Sequence, residues 1–221
     1  LLNLQTQRTD LPDEMVFIIY HQINELLFKM ILWEMEQLAS KENLKAFFLT
    51  ERLERISSYF DMLCSSFKIM KDGMELRQYM KFRKTLAPAS GFQSAQYRKI
   101  EFASTELINL IDFRFRKTIN RNTPFKYAFE HLYWQAAGKN HETGEKSIMI
   151  KLFEDQYMDE FILFMKQYNN KNIWSLFNNL ADQEKNNLEL INSMRHYDHT
   201  VNVKWVMQHF HTASLYLDGA N

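Results

Sequence analysis

The chain has 221 residues, is 46% apolar, and contains only five glycines and three prolines. These values exclude a disordered polymer and leave room for a domain with a real core. Basic and acidic residues balance at 27 each, so there is no electrostatic footprint for nucleic acid, and no basic stripe interrupts the balance. Cys64 is the only cysteine, which rules out an internal disulfide and any Cys-rich zinc or iron–sulfur site and fits a reducing cytoplasm. The longest uninterrupted apolar run, Met15 to Tyr20, is far shorter than a membrane span, so neither membrane nor nucleic acid is expected as a partner. The opening Leu1-Leu2-Asn3-Leu4-Gln5 has neither the basic region nor the cleavage site of a signal peptide. It also lacks an initiator Met, so the chain is expected to be part of a longer polypeptide.

Scarce turn residues and abundant Leu, Met, Phe, Lys and Glu predict long helices rather than a many-stranded sheet. The first helix is predicted to open after Asp10-Leu11-Pro12, with Asp13 and Glu14 favourable in its first turn, and to run toward Leu38. Phe17, Ile18, Ile19, Ile23, Leu26, Leu27, Phe28, Ile31, Leu32 and Trp33 make it apolar on nearly every side, the pattern of a helix at the centre of a bundle. A second helix is predicted over about 43–70, with Phe48, Leu53, Ile56, Phe60, Leu63 and Phe67 at helical spacing and a stop at Asp72-Gly73. Glu75 to Leu86 reads as a shorter helix ending before Pro88. Further helices are predicted at Ser94 to about Lys117, from Thr123-Pro124 to Ala137, at Ser147–Gln167, Ile173–Asn192 and Thr200–Leu217, the last ending near Gly219, with a loop at Gly138–Gly144. The reading is an all-α, single-domain helical bundle covering residues 1–221.

Four positions apart, Phe17 and His21 share one helical face. On spacing alone they fit a core Phe beside a hydrogen-bonded histidine, or a ligand contact; an imidazole in so apolar a stretch is expensive to bury unpartnered. Tyr79 and Arg83 repeat the spacing and combine a hydroxyl with a guanidinium suited to bidentate capture of a carboxylate, although a surface Arg stacked on Tyr gives the same pattern. Ser90-Gly91 follows Pro88, where exposed backbone N–H groups suit a polar ligand and a glycine equally suits a turn. Four histidines come late. His196 and His199 flank Asp198 in a polar stretch that suits capping or solvation, and His209 lies four residues after Trp205 with Val206 and Phe210 around it, as an axial haem ligand requires. His211 and His199 are its competitors. No Glu has His three residues later, and there is no His-Glu-x-x-His, no Gly-rich phosphate loop and no Gly-x-Ser-x-Gly turn, which removes di-iron, zinc-helix, nucleotide and serine-nucleophile chemistries.

Two blocks are specific as a pair. The first is Asp13-Glu14-Met15, Phe17-Ile18-Ile19, His21-Gln22, with Glu25-Leu26 beyond. The second runs from Tyr79-Met80-Lys81-Phe82-Arg83 through Leu86-Ala87-Pro88-Ala89-Ser90-Gly91-Phe92-Gln93-Ser94 to Gln96-Tyr97-Arg98-Lys99-Ile100-Glu101. With a weaker third block (Trp205, His209, Thr212), the chain resembles the tryptophan 2,3-dioxygenase family over most of its length. The resemblance implies an all-helical homotetramer holding haem b with ferrous iron, acting on L-tryptophan and O2. It implies that Phe17 packs the substrate indole and that His21 meets and orients its ring N–H, the catalytic position. Tyr79 and Arg83 would bind the substrate carboxylate, Ser90 and Gly91 would line the distal pocket beside haem and substrate, and His209 would be the axial iron ligand. The family's Gly-Thr-Gly-Gly-Ser-type loop has no counterpart before Asn221, and its tyrosine-bearing segment has none before Leu1. Two other functions stay open: a related haem monooxygenase on a modified tryptophan or tyrosine, and a non-enzymatic helical haem sensor.

Overall fold

The computed structural model describes residues 5–86, 94–137, 139 and 144–218. In chain order the helices are α1 (Pro12–Ser40), α2 (Ala46–Gly73), α3 (Leu76–Phe82), α4 (Ala95–Ser104), α5 (Phe125–Phe129), α6 (Tyr133–Ala137), α7 (Ile148–Tyr168), α8 (Ile173–Asn178), α9 (Asp182–Lys185), α10 (Leu188–His199) and α11 (Trp205–Asp218). Short 3₁₀ turns follow α3 at Arg83–Leu86 and α4 at Leu107–Leu110, and a π turn, Thr200–Lys204, joins α10 to α11. Among the described residues there is no strand, only the isolated bridges Ile111–Leu132 and Lys139–Lys146. The all-α expectation holds.

The chain divides into two compact units, one of residues 1–34, 45–87 and 186–221, the other of residues 35–44 and 88–185. The first is built on α2, whose Leu49, Leu53, Ile56, Phe60, Leu63 and Phe67 recur every three or four residues and are all buried. That stripe meets α10, which buries Leu190, Met194 and Tyr197, and the start of α11. α1 begins with Pro12, whose missing N–H costs nothing in a first turn, and Asp13 and Glu14 sit favourably at the positive end of the helix. Its buried Glu34 carboxylate is held by Arg52 at 2.9 Å and Arg55 at 2.7 Å, which compensates a charge that burial alone would penalise heavily. Cys64 is buried, and that burial pushes its thiol above the usual range.

In the second unit the core is aromatic. Phe102, Phe129, Trp134, Phe153 and Phe161 pack with Ile111, Ile119, Leu132 and Met165. Ser94 caps α4 by accepting from the Tyr97 N–H at 3.1 Å. On α4, Arg98 and Glu101 are both buried and joined at 2.7 Å, and the Tyr133 hydroxyl accepts from Arg98 at 2.9 Å while donating to Glu101.

Boundaries agree with the sequence reading for α1, α2, α3, α7 and the last helical stretch, where the π turn and α11 together run from Thr200 to Asp218, and differ elsewhere. The helix expected over Ser94–Lys117 stops at Ser104, and the residues around 109–116 are held instead by local bonds and one long-range bond. The Asp112 N–H donates to the His131 carbonyl, Arg114 pairs with Asp112, and Arg116 donates to the Ile111 and Asn109 carbonyls. The helix expected over 123–137 is broken into α5 and α6 by the Ile111–Leu132 bridge. The one expected over 173–192 is divided into α8, α9 and the start of α10. Most of the Gly138–Gly144 loop and the stop at Gly219 lie outside the described residues.

α1 is not enclosed on every side, contrary to expectation. Tyr20, Leu27, Phe28 and Ile31 are buried, whereas Val16, Ile19, Ile23, Leu26, Met30 and Trp33 form an open stripe, with Leu26 66% and Trp33 60% exposed. Among the described residues, the elements of this chain cover one face of the helix only. α1 is also long and apolar enough, by length and composition alone, to cross a membrane, which the count of uninterrupted apolar residues had missed. Glu34 on this helix is buried and paired within the chain with Arg52 and Arg55.

Candidate active site

All the sequence-predicted site residues that fall among the described positions belong to the first unit. On α1, the Phe17 and His21 ring centres are 4.1 Å apart. Across from them Tyr79 on α3 lies 5.9 Å from Phe17, and the Arg83 guanidinium sits over the Tyr79 ring at 5.6 Å. The four side chains thus form one continuous wall in the order His21, Phe17, Tyr79, Arg83. Phe82, fully buried, closes it from behind, edge-on to Phe17 at 5.7 Å and to Tyr79 at 5.5 Å. Sequence reasoning passed over Phe82, although its place three residues after Tyr79 on the same helix was the available signal.

His21 has a defined tautomer. Its Nδ1 lies 2.8 Å from the Phe17 carbonyl; a carbonyl only accepts, so Nδ1 carries the proton and Nε2 is left as an acceptor. Surrounding protein pushes its pKa below the usual imidazole value, against the opposing pull of the Phe17 carbonyl and Glu25, even though the residue keeps solvent access. The ring is thereby kept neutral and able to accept from a ligand N–H. Arg83 makes a long contact with the Met80 sulfur at 3.8 Å, and no acidic side chain among the described residues pairs with it. A permanent cation beside two aromatic rings, with no protein carboxylate spent on it, suits a ligand carboxylate.

His209 lies on α11 with its ring 5.9 Å from Phe67 and 6.1 Å from Trp205. The π turn sets this placement. One extra residue in a turn rotates everything after it by roughly 100°, and Trp205 then packs against Phe28, Phe60 and Phe67 at 5.8, 6.2 and 4.9 Å. His209 follows one turn later on the same face. Phe67, read from the sequence as core alone, is the residue that touches both Trp205 and His209, and Tyr20, 5.2 Å from His21, lies 6.5 Å from Phe67. His196, His199 and His211 are exposed. Ser90 and Gly91 lie outside the described residues. Among the described residues no three His, Cys, Asp or Glu side chains gather as a metal cage.

The chain is 41% identical over 105 residues to the tryptophan 2,3-dioxygenase of Ruegeria sp. (strain TM1040), a match covering 46% of this chain and 37% of that protein. It is 40% identical over 106 residues to that of Bacillus thuringiensis (strain Al Hakam), covering 47% and 37%. It is 32% identical over 108 residues to tryptophan 2,3-dioxygenase B of Danio rerio, covering 46% and 26%. The matched stretch thus spans little more than a third of the bacterial relatives' length. The profile of the family described as tryptophan 2,3-dioxygenase matches residues 1–214. With that match running almost from end to end, the chain belongs to the tryptophan 2,3-dioxygenase family.

Proposed function

We propose that the protein inserts both atoms of O2 across the indole C2–C3 bond of L-tryptophan to give N-formyl-L-kynurenine, with haem b as cofactor. The observation that carries this reading is the His21–Phe17–Tyr79–Arg83 wall, which offers an N–H acceptor, an aromatic surface and a cation in the order that an indole N–H, its ring and an amino acid carboxylate require. Arg83 holds the carboxylate, Tyr79 flanks it and Phe17 packs the ring. His21 orients the indole through Nε2 and is not asked to remove a proton. Holding the substrate at both ends presents one bond for reaction, a positional contribution to rate.

The residues present fit a haem. A porphyrin supplies four of the iron's ligands itself, so a single imidazole on a helix suffices. His209 is exposed beside the exposed apolar side chains Val206, Met207 and Phe210. Ferrous haem, when bound, supplies the O2-activating chemistry. The open apolar stripe of α1 supports self-association, for which the homotetramer is our assignment, in the cytoplasm.

Absorption spectra of the reduced, haem-reconstituted protein, with and without L-tryptophan, test the reading. A tryptophan-dependent change is expected, and none would favour a haem sensor. Product made from labelled O2 should carry two labelled atoms; one would assign a monooxygenase. His209→Ala should lose haem or its normal spectrum, and an unchanged spectrum would move the iron ligand to His211 or His199.

A further inference from the structure

The wall is the outer part of a longer ladder. Asp13, Phe17 and His21 are spaced by four along α1, and Glu75, Tyr79 and Arg83 are spaced by four from the N-cap of α3 through its C-cap, so each trio lies along one face. Phe17 and Tyr79 form the middle rung. At the first rung, Asp13 Oδ2 accepts from the Glu75 N–H at 2.6 Å, and Gln78 Oε1 accepts from the Asp13 N–H at 3.2 Å. The Gln78 amide then donates to the Glu75 carboxylate at 2.9 Å. Glu75 makes no side-chain cap of its own. Each helix therefore supplies an acceptor for an N–H at the start of the other, where backbone donors lack intrahelical partners.

A second tie closes the same corner. The nearly fully buried Glu14 accepts from the Arg8 N–H at 2.9 Å and from the Thr9 N–H and hydroxyl at 2.7 and 2.6 Å. Arg8 in turn donates to the Thr85 carbonyl, two residues beyond Arg83.

We infer that Asp13 and Gln78 are positioning residues for the substrate: their reciprocal capping sets the gap between the ring-binding side of the wall and its carboxylate-binding side. The inference rests on the proposed substrate. Neither residue needs to touch the ligand. Releasing the first rung lets α1 and α3 diverge, and the cost falls on a ligand that must reach both sides.

L-tryptophan spans the wall, whereas indole occupies the ring side alone. In Asp13→Ala and Gln78→Ala, affinity for L-tryptophan should fall by roughly tenfold, the scale of one lost charge-assisted hydrogen bond. Affinity for indole should stay near the parent value, and Asp13→Asn, which keeps an acceptor in place, should recover part of the loss. Parallel losses for both ligands together with a lowered thermal midpoint, or no loss for either, would overturn the inference. A ligand-free measurement separates its failure from that of the substrate reading. Spin labels at the exposed positions Val16 and Arg77 should give a narrow distance distribution in the parent and a broader one in Asp13→Ala. An unchanged distribution sinks the positioning role whatever the protein binds, and a parent protein indifferent to L-tryptophan sinks the substrate reading alone.

Discussion

Two arginines of this chain, Arg83 and Arg98, each lie over a tyrosine ring, at 5.6 and 4.9 Å, yet they serve opposite ends. Arg98 is buried, bonded to Glu101 and Tyr133, and lies 5.4 Å from the Trp134 ring centre. Its charge is answered within its own unit by Glu101. Burial pushes the Glu101 carboxyl up while Arg98 pulls it back, and burial together with the Glu101 charge pushes the Tyr133 hydroxyl well above its usual value. Arg83 is partly buried, its side chain makes only a long polar contact with a thioether, and no carboxylate among the described residues answers it. A cation with its counterion built in stabilises a fold; one without is available to a ligand.

The largest expected effect comes from breaking the closed member. Arg98→Ala strands the Glu101 carboxylate without its cation, a change that typically costs about 3–5 kcal/mol. Denaturant unfolding should show that loss, or the variant should fail to accumulate folded. Next, Arg83→Ala should leave the unfolding midpoint within about 0.5 kcal/mol of the parent while weakening L-tryptophan binding by about 2–5 kcal/mol, read as a steep rise in KM with haem still bound. A destabilised Arg83→Ala protein with normal KM would erase the contrast between the two.

The smallest effect is a pH dependence confined to the open site. L-tryptophan binding needs His21 Nε2 unprotonated, and the His21 pKa is lowered. Binding should therefore hold as pH falls through the ordinary imidazole value of about 6.5 and weaken only below it. The stability linkage has the same sign. Between the lowered folded pKa and the unfolded value the unfolded chain binds more protons, so the His21 contribution to stability diminishes as pH falls through that window. Titration calorimetry across it, with His21→Asn as the flat control, checks both.

Much of the wall was legible because it is local. Phe17/His21 and Tyr79/Arg83 are pairs one helical turn apart, and a spacing of four places two side chains together wherever the helix goes. Trp205/His209 was legible in the same way. Phe67 beside His209 and the cross-caps of Asp13 and Gln78 were not, since each depends on which helix lies opposite. The long helix read over 94–117 failed for a related reason. Leu107, Ile108, Leu110 and Ile111 have acceptable helical spacing, but hydrogen bonds from Asp112 to His131 and from Arg116 back to Ile111 and Asn109 outweigh what local periodicity offers.

Composition, periodicity and residue spacing thus determined by themselves that the chain is helical, where the longest helices start, and which side chains stand one turn apart. Tertiary structure decided which arginine received a counterion, which face of α1 stayed open, and how a π turn aimed His209. Those outcomes depend on contacts between residues far apart in the chain, whose energies local sequence does not contain.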